Sequence, residues 1–281
     1  MSASVSAIVR YPVKSCAGHA INKASLDAYG IVGDRRWLIV DSHGRFLTQR
    51  DAPSLSQVTP EFAGDDLALT APGMERIAVR ADAQGPTRNV RVWNDRCQGV
   101  DQGDDVAAWL REYLGSAYRL VRMSPDFRRP IDSAYATSMG DHVSYADGYP
   151  FLLTSEASLQ ELNRRMAASV PMDRFRPNIV VSGTEPFEED TWTLIQIGGV
   201  TFHVVKPCAR CVVTTTDQAT GERGKEPLAT LATFRRDGQG NVHFGQNLIH
   251  TPKRGKIAVG DALAVRERGH PTVPFGAGSG C

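Results

Sequence analysis

Two cysteines three positions apart are the most chemically informative feature of this sequence. Cys208 and Cys211 stand in the stretch KPCARC, with a proline before the first thiol and an arginine before the second. Thiolates at this spacing can hold a metal ion, form a redox-active disulfide or carry sulfur. Other features of the sequence are needed to distinguish among these chemistries.

A zinc site and a redox-active dithiol both need features that the sequence does not supply. A closed zinc site needs two further ligands, but the chain has no second C-x-x-C or H-x-x-x-H pair. A thioredoxin-like dithiol belongs at a helix start after a parallel strand, whereas KPCARC runs into the β-branched stretch VVTTT. A single soft thiolate on a redox metal needs only one cysteine, provided that a cofactor brings the other ligands. The residues alone do not choose between Cys208 and Cys211.

Such a cofactor would need anion-binding groups, and candidates occur in four segments. They are Lys14 and Ser15 in YPVKSC, Arg35 in GDRRW, Thr154 and Ser155 ahead of a predicted helix, and Arg176 and Asn178 in RFRPN. Each residue taken alone is better explained by a surface charge or a helix cap. Only the set as a whole suggests an anion site.

Composition limits the function classes. The 281 residues, 41% of them hydrophobic, suffice for one large domain or two modest ones. With 32 basic and 31 acidic residues the chain has no overall field to attract nucleic acid or an anionic membrane. Five cysteines do not form a disulfide framework, and the N-terminal stretch MSASVSAIVRYPVKS fits neither a signal peptide nor a membrane span. We therefore expect a cytoplasmic protein with no nucleic-acid or membrane partner.

The hydrophobic pattern predicts an α+β, β-rich fold. Strand-like runs such as VSAIVRY, RRWLIV, RFLTQR and NVRVWN recur at short intervals in the first hundred residues, as in a barrel or meander. The stretch DDVAAWLREYL at 104–114 predicts a helix, because its apolar residues share one face and a glycine follows. We expect a β-rich N-terminal domain over 1–120, a second domain over 121–268 and a flexible tail over 269–281.

The second domain has its own signals. Residues 124–150 show no sustained period and are interpreted as a lid or a domain connection. FLLT predicts a strand that leads into the helix SEASLQELNRRMA, in which Ser158 and Glu161 have capping-box spacing. A strand, hydroxyls and a helix start can offer free N–H groups to an anion. WTLIQI and VTFHVV predict a hairpin capped by KPCARC, and PLATLATF predicts a short helix.

Seven motifs together make the sequence recognisable. They are YPVKSC, GDRRWLIVD, FLLTSEASLQELN, FRPNIVVSG, KPCARCVVTTTDQATG, GKEPLATL and FGQN. In this order and spacing they resemble the MOSC-domain proteins with an N-terminal β-barrel half, the group that includes the mitochondrial amidoxime-reducing component and its bacterial relatives. The resemblance runs from about residue 5 to residue 267, and it implies a MOSC β-barrel domain packed against an N-terminal β-barrel-like domain.

The resemblance also implies a cofactor and a reaction. The cofactor is the molybdenum cofactor, Mo-molybdopterin, with Cys211 as the thiolate ligand of the metal and no role for pyridoxal phosphate. Its phosphate and pterin contacts map onto Lys14, Ser15, Arg35, Thr154, Ser155, Arg176 and Asn178. The implied reaction is the reductive removal of oxygen from small N-hydroxylated compounds, amidoximes or N-hydroxylated bases, with two electrons, two protons and release of water.

One departure from some relatives concerns the electron supply. A fused iron–sulfur domain would need a cluster of thiolates, and after residue 261 the sequence has only Cys281. We therefore expect a separate electron-donor protein. The alternative functions are sulfur transfer through a cysteine persulfide, or a carrier of the molybdenum cofactor without turnover.

Overall fold

A computed structural model of the chain describes residues 2–80 and 85–269. Eighteen strands occur in these ranges: β1 Ser4–Arg10, β2 His19–Ile21, β3 Lys23–Asp27, β4 Gly30–Ile31, β5 Trp37–Val40, β6 Thr59–Ala63, β7 Asp66–Thr70, β8 Ile77–Val79, β9 Thr87–Val92, β10 Asp95–Asp101, β11 Arg119–Met123, β12 Phe151–Ser155, β13 Ile179–Ser182, β14 Trp192–Ile197, β15 Val200–Arg210, β16 Val242–Thr251, β17 Gly255–Ala258 and β18 Leu263–Arg268. Three α-helices accompany them: α1 Asp104–Leu114, α2 Glu156–Arg164 and α3 Leu228–Phe234. The predicted α+β, β-rich class is confirmed.

The largest sheet joins both ends of the chain. Its eight strands lie in the order β18-β14-β15-β16-β12-β13-β1-β2, and β12 and β13 are its parallel neighbours. β1 pairs with β13, so that Ile8 lies opposite Ile179, and β3 pairs with β17 in a smaller sheet. The start of the chain therefore completes sheets built by residues beyond 120. The domain limits at 120 and 268 stay a prediction, and the tail predicted from 269 lies, after Gly269, outside the described residues.

Two further sheets form the rest of the N-terminal half. β5, β11, β10 and β9 make one, and β6, β7 and β8 make the other. α1 begins and ends where the sequence predicted, with Val106, Trp109 and Leu110 buried on one face. Gly115 ends it at a φ of 72°, a left-handed conformation that suits glycine. The predicted periodicity was correct here because it reflects a real apolar core.

One predicted strand and one predicted cap are wrong. RFLTQR forms only isolated bridges, at Arg45 and Phe46, and then leaves the sheet as a loop. The helix predicted after FLLT is α2, but its N-cap is Ser155, whose Oγ accepts from the N–H of Ala157 at 3.2 Å. Ser158 is instead buried inside the helix. The cap lies three residues earlier because the strand leads into the helix without an intervening turn.

Residues 124–150 form an ordered irregular segment. The buried Arg129 holds it by donating to the carbonyls of Ser144 at 3.0 Å, Ala146 at 2.5 Å and Asp147 at 2.7 Å. Its guanidinium also pairs with Asp95 at 2.7 Å. This buried cation fixes the end of the segment against the N-terminal half. Whether the segment also acts as a lid stays a prediction.

Candidate functional site

A cavity of about 150 Å³ lies where the first fifty residues meet the large sheet. Six of the eight predicted site residues line it: Lys14, Ser15, Arg35, Arg176, Asn178 and Cys211. They come from segments more than 150 residues apart, and their convergence was predicted from the motifs. The cavity is therefore the candidate site.

The other two predicted residues lie behind the cavity wall. Thr154 is fully buried and its Oγ1 donates to the sulfur of Met172 at 3.2 Å. Ser155 is fully buried as well, caps α2 and shares a hydrogen bond of 2.7 Å with Thr184. Neither side chain lines the cavity, because both are engaged at the junction of β12 and α2. In the structure their visible role is to position that junction.

The two cysteines lie at the end of a long strand. β15 continues through Arg210 because it pairs with β16 as far as Val242, so KPCARC extends the hairpin strand and does not cap it. Cys208 is part of the strand, and Cys211 follows it directly. Both thiols are free and both line the cavity. The sulfur of Cys211 accepts a hydrogen bond from Nη2 of Arg50 at 3.0 Å.

The cavity wall carries a large excess of positive charge. Its single acidic residue is Asp147, against six basic ones: Lys14, Arg35, Arg50, Arg174, Arg176 and Arg210. Two of these, Arg35 and Arg174, pair with carboxylates that do not line the cavity, Asp34 and Asp217. Concentrated cations of this kind attract a multiply charged anion such as a phosphate.

Arg176 is a buried cation on the cavity wall whose surroundings favour a bound anion. Its guanidinium donates to the carbonyl of Cys16 at 2.6 Å and to Oε1 of Gln218 at 3.2 Å, and it lies 4.4 Å from the ring centre of Tyr11. These partners are neutral, and burial lowers the pKa of Arg176. An anion in the cavity would offset that cost of burial.

Backbone strain is concentrated around the same cavity. Ser15, Arg35 and Arg176 have φ angles of 68°, 47° and 55°, in the left-handed region that L residues rarely adopt. They are three of the five non-glycine residues with positive φ in the described ranges. Strain of this kind persists where a functional geometry requires it. Its location therefore supports the same site as the charge does.

Lys14 and Asp147 form an ion pair on the cavity wall. Their Nζ and Oδ1 atoms are 2.5 Å apart; the lysine side chain is 6% exposed and the aspartate side chain 66%. Burial lowers the pKa of Lys14 to about 8, although Asp147 acts to raise it. Desolvation opposes ionisation of Asp147, but the charge of Lys14 and its hydrogen bond outweigh this effect and hold the pKa of the carboxyl well below its usual range. The pair can hold a proton within the cavity.

Sequence reasoning missed several wall residues, above all Arg50 and Asp147. Arg50 lies in the stretch predicted as a strand, and Asp147 lies in the stretch without a period. No local motif marks either of them. Arg174 is the first residue of RFRPN and Arg210 lies within KPCARC, so their closeness in sequence to the predicted ligands was a usable signal.

Protein side chains alone do not complete a metal site at Cys211. In residues 2–80 and 85–269, no three His, Cys, Asp or Glu side chains are grouped to hold a metal ion. A metal bound to Cys211 would take its other ligands from a cofactor. A soft thiol beside a cluster of cations would fit a cofactor that carries both a thiophilic metal and a phosphate, as the molybdenum cofactor does. None of the helices in the described part of the chain is long and apolar enough to span a membrane.

Comparison with known proteins gives consistent results. The model of the MOSC N-terminal beta barrel domain matches residues 2–117, and that of the MOSC domain matches residues 140–264. The chain is 37% identical to mitochondrial amidoxime reducing component 2 of Bos taurus, over 83% of this chain and 72% of that protein. It is 36% identical to the human mitochondrial amidoxime-reducing component 1, over 90% of this chain and 80% of that protein.

A sulfurase is also among the relatives. The chain is 34% identical to the molybdenum cofactor sulfurase of Danio rerio, over 87% of this chain but only 31% of that protein. Among solved structures, the similarity to the YuaD protein of Bacillus subtilis covers 94% of each chain, at 12% identity and a TM-score of 0.37. From the two matched domain models and the relatives that span most of its length, the chain belongs to the MOSC-domain proteins with an N-terminal β-barrel domain, the family of the mitochondrial amidoxime-reducing components.

Proposed function

We propose that this protein is a reductase of N-hydroxylated compounds that works with a molybdenum cofactor bound in the cavity. The observation that carries the proposal is the excess of cations around two free thiols, with six basic residues against one acidic residue on the cavity wall. The names of the amidoxime reducing components and of the molybdenum cofactor sulfurase support an oxidoreductase role linked to this cofactor.

The wall residues have distinct roles in holding the cofactor. Cys211 supplies the thiolate ligand, and Lys14, Ser15, Arg35 and Arg176 bind the phosphate end. Asn178 orients Arg35, because its Oδ1 accepts from Nη1 of that arginine at 2.8 Å. Thr154 and Ser155, which were expected to touch the cofactor, support the wall from behind.

The reaction consumes two electrons and two protons: R–NH–OH + 2e⁻ + 2H⁺ gives R–NH₂ + H₂O. A cofactor held by these residues would supply redox and Lewis-acid chemistry at the N–OH group. Lys14, with a pKa of about 8, is protonated at neutral pH, so it carries the positive charge that its place at the phosphate end requires. The electrons come from a separate electron-donor protein.

The test combines composition with turnover. We expect purified protein to contain about one molybdenum per chain by elemental analysis, a fluorescent pterin after oxidation, and benzamidoxime reduction with a chemical electron donor. The Cys211→Ser variant is the control for turnover. Protein that is loaded with molybdenum but does not reduce benzamidoxime would refute the reductase.

A second function is favoured by Cys208. Its thiol is free, lines the cavity beside Cys211, and belongs to a chain related in part to a molybdenum cofactor sulfurase. Sulfur transfer would use a persulfide on one of these thiols, and a cofactor carrier would use none. Persulfide labelling of protein without molybdenum would identify the first, and tight cofactor binding without turnover the second. The cytoplasmic location stays a prediction, since the relatives are named mitochondrial.

A further inference from the structure

A second cavity of about 650 Å³ adjoins the first. The two share Thr48 and Arg50 in their walls, so these two residues lie at the boundary between them. The walls of the second cavity come from residues 41–51 and 91–94 in the N-terminal half. Its volume is in the range that holds small organic ligands. The proposed cofactor-binding role of the first cavity does not require this second cavity.

Trp93 is the conspicuous residue of this second cavity. Its side chain is 41% exposed, whereas the other three tryptophans, Trp37, Trp109 and Trp192, are buried. Its φ of 56° is unfavourable for so bulky a residue. The Phe46 ring contacts it edge to face with ring centres 5.0 Å apart. An exposed indole held in a strained backbone by a second ring is a surface on which a planar group can stack.

Arg50 connects Trp93 to the thiol of Cys211. Its guanidinium carbon lies 4.8 Å from the Trp93 ring centre, and its Nη2 lies 3.0 Å from the sulfur of Cys211. With a guanidinium C–N bond of about 1.3 Å, the ring centre lies no more than about 9 Å from the sulfur. An aromatic compound that stacks on Trp93 can therefore present a substituent at Cys211.

We propose that Trp93 and Arg50 form a substrate subsite that stacks the ring of an uncharged aromatic amidoxime and repels the cationic amidine formed by its reduction. The inference rests on the proposed reductase function and names the substrate class of that site. Removing the hydroxyl group of an amidoxime leaves an amidine, which is a much stronger base and is protonated at neutral pH. The substrate is neutral beside Arg50, while the product carries a charge of the same sign.

The acidic residues nearby are already engaged. Oδ1 of Asp41 accepts from the backbone N–H groups of His43 and Arg45, at 2.8 and 2.9 Å. Oδ2 of Asp51 accepts from the backbone N–H and the hydroxyl of Thr48. These hydrogen bonds orient both carboxylates toward their own loop. Arg45 and Arg91 also line this cavity, but Arg50 is the cation that contacts both the Trp93 ring and the sulfur of Cys211.

The test of stacking compares benzamidoxime with acetamidoxime, which lacks a ring. Trp93→Leu should lower the ratio of their kcat/KM values about tenfold, the size of one aromatic stacking contact. Trp93→Phe, which keeps an aromatic face, should restore most of the ratio. An unchanged ratio in Trp93→Leu would overturn the subsite.

The test of charge uses binding alone, by calorimetry on the purified protein. Arg50→Gln should tighten the binding of benzamidine, the cationic product, about five- to tenfold, as removal of one nearby like charge predicts. Benzamidoxime should change less than about twofold, since it is neutral. The control is Arg45→Gln, which removes an equal charge from the same loop without a contact to Cys211, and it should change the benzamidine affinity less than Arg50→Gln does.

If both ligands respond equally to Arg50→Gln, the charge discrimination is refuted. These binding measurements need no turnover, so a protein that binds as predicted but lacks reductase activity would contradict the proposed function and leave the subsite standing. Normal reductase activity with no effect of either substitution would contradict the subsite and leave the function standing.

Discussion

Arg176 combines two features that a purely structural residue would avoid. Its backbone is left-handed, with a φ of 55°, and its guanidinium has no carboxylate partner among the ion pairs of residues 2–80 and 85–269. Each feature reduces stability on its own. Together they indicate that the position is maintained for a ligand.

Two substitutions at Arg176 separate these contributions. Arg176→Ala and Arg176→Gly should lose molybdenum equally, because both remove the guanidinium that we propose binds the cofactor's phosphate. Arg176→Gly should be more stable than Arg176→Ala by about 1 kcal/mol, since glycine accepts a positive φ without strain. Molybdenum content and the melting temperature are the measurements. Wild-type molybdenum content in either variant would exclude Arg176 from the phosphate site.

The two cysteines should respond differently to serine substitution. Cys211→Ser replaces a soft thiolate by a poor metal ligand, so benzamidoxime reduction should fall by at least about 100-fold, on the scale of losing a group that acts in the transition state. Cys208→Ser should retain most activity. X-ray absorption at the molybdenum edge should show one sulfur ligand fewer in Cys211→Ser alone. The reverse pattern would assign the ligand to Cys208, and equal failure would favour a dithiol.

Lys14 makes the stability depend on pH in a defined window. Its pKa is about 8 in the folded protein, against 10.5 for the unperturbed group, because of burial. Between these values the unfolded chain binds more protons at this lysine, so its contribution to the free energy of unfolding increases as pH rises. The free energy of unfolding of the wild type, minus that of Lys14→Met, should therefore increase by up to about 3 kcal/mol from pH 8 to pH 10.5.

Urea titrations at several pH values measure this difference. The matched control is Lys23→Met, which removes an exposed lysine from β3 and should show no such trend. A difference that stays flat across the window would mean that Lys14 is not destabilised by burial. A difference that falls with pH would mean that its ion pair with Asp147 dominates.

At the scale of elements, the junction of β12 and α2 shows where the motif reading and the structure differ. The sequence correctly predicts a strand that leads directly into a helix, because both periodicities are local. It does not predict whether Ser155 faces a ligand or caps the helix, since both roles require the same residue type at the same place. Only the direction of the side chain distinguishes them.

Ser155→Ala decides between these roles. If the hydroxyl only caps α2, the variant should lose about 1 kcal/mol of stability and keep its molybdenum. Loss of molybdenum from Ser155→Ala at unchanged stability would show that the resemblance correctly made this residue a cofactor contact.

The loops, more than the strands and helices, limit what could be predicted from the sequence. α1, α3 and the hairpin of β14 and β15 were predicted because apolar spacing and turn residues determine them locally. Arg50 and Asp147 were missed because their roles arise from contacts with residues 161 and 133 positions away, at Cys211 and Lys14. Short-range patterns contain no information about such partners. The predicted wall residues were candidates from their local settings, and the resemblance to a family joined them into one site.

At the scale of the whole molecule, the predicted division at residue 120 crosses a shared sheet. β1 supplies the neighbour of β13, and the buried Ile8 packs in the same core as Ile179 and Phe202. A fragment of residues 121–268 would therefore expose one edge of β13 and part of that core.

We expect this fragment alone to show no cooperative unfolding transition. Addition of residues 1–120 should restore one, because the missing strand and its apolar side chains return. Circular dichroism during thermal unfolding provides the measurement, with the intact chain as the control. An isolated fragment that melts cooperatively would instead support two independently folding domains with a boundary near 120.

The pairing of β1 with β13 also affects when the large sheet can form during synthesis of the chain. About 170 residues separate Ile8 from Ile179, and a ribosome adds roughly 5–20 residues per second, so the first strand waits roughly 10 to 30 seconds for its partner to be synthesised. Cys211 and the strand β16 emerge later still. Since the wall of the candidate cavity includes residues up to Asn247, the cavity cannot form until that part of the chain has been synthesised, and its N-terminal wall residues wait longest.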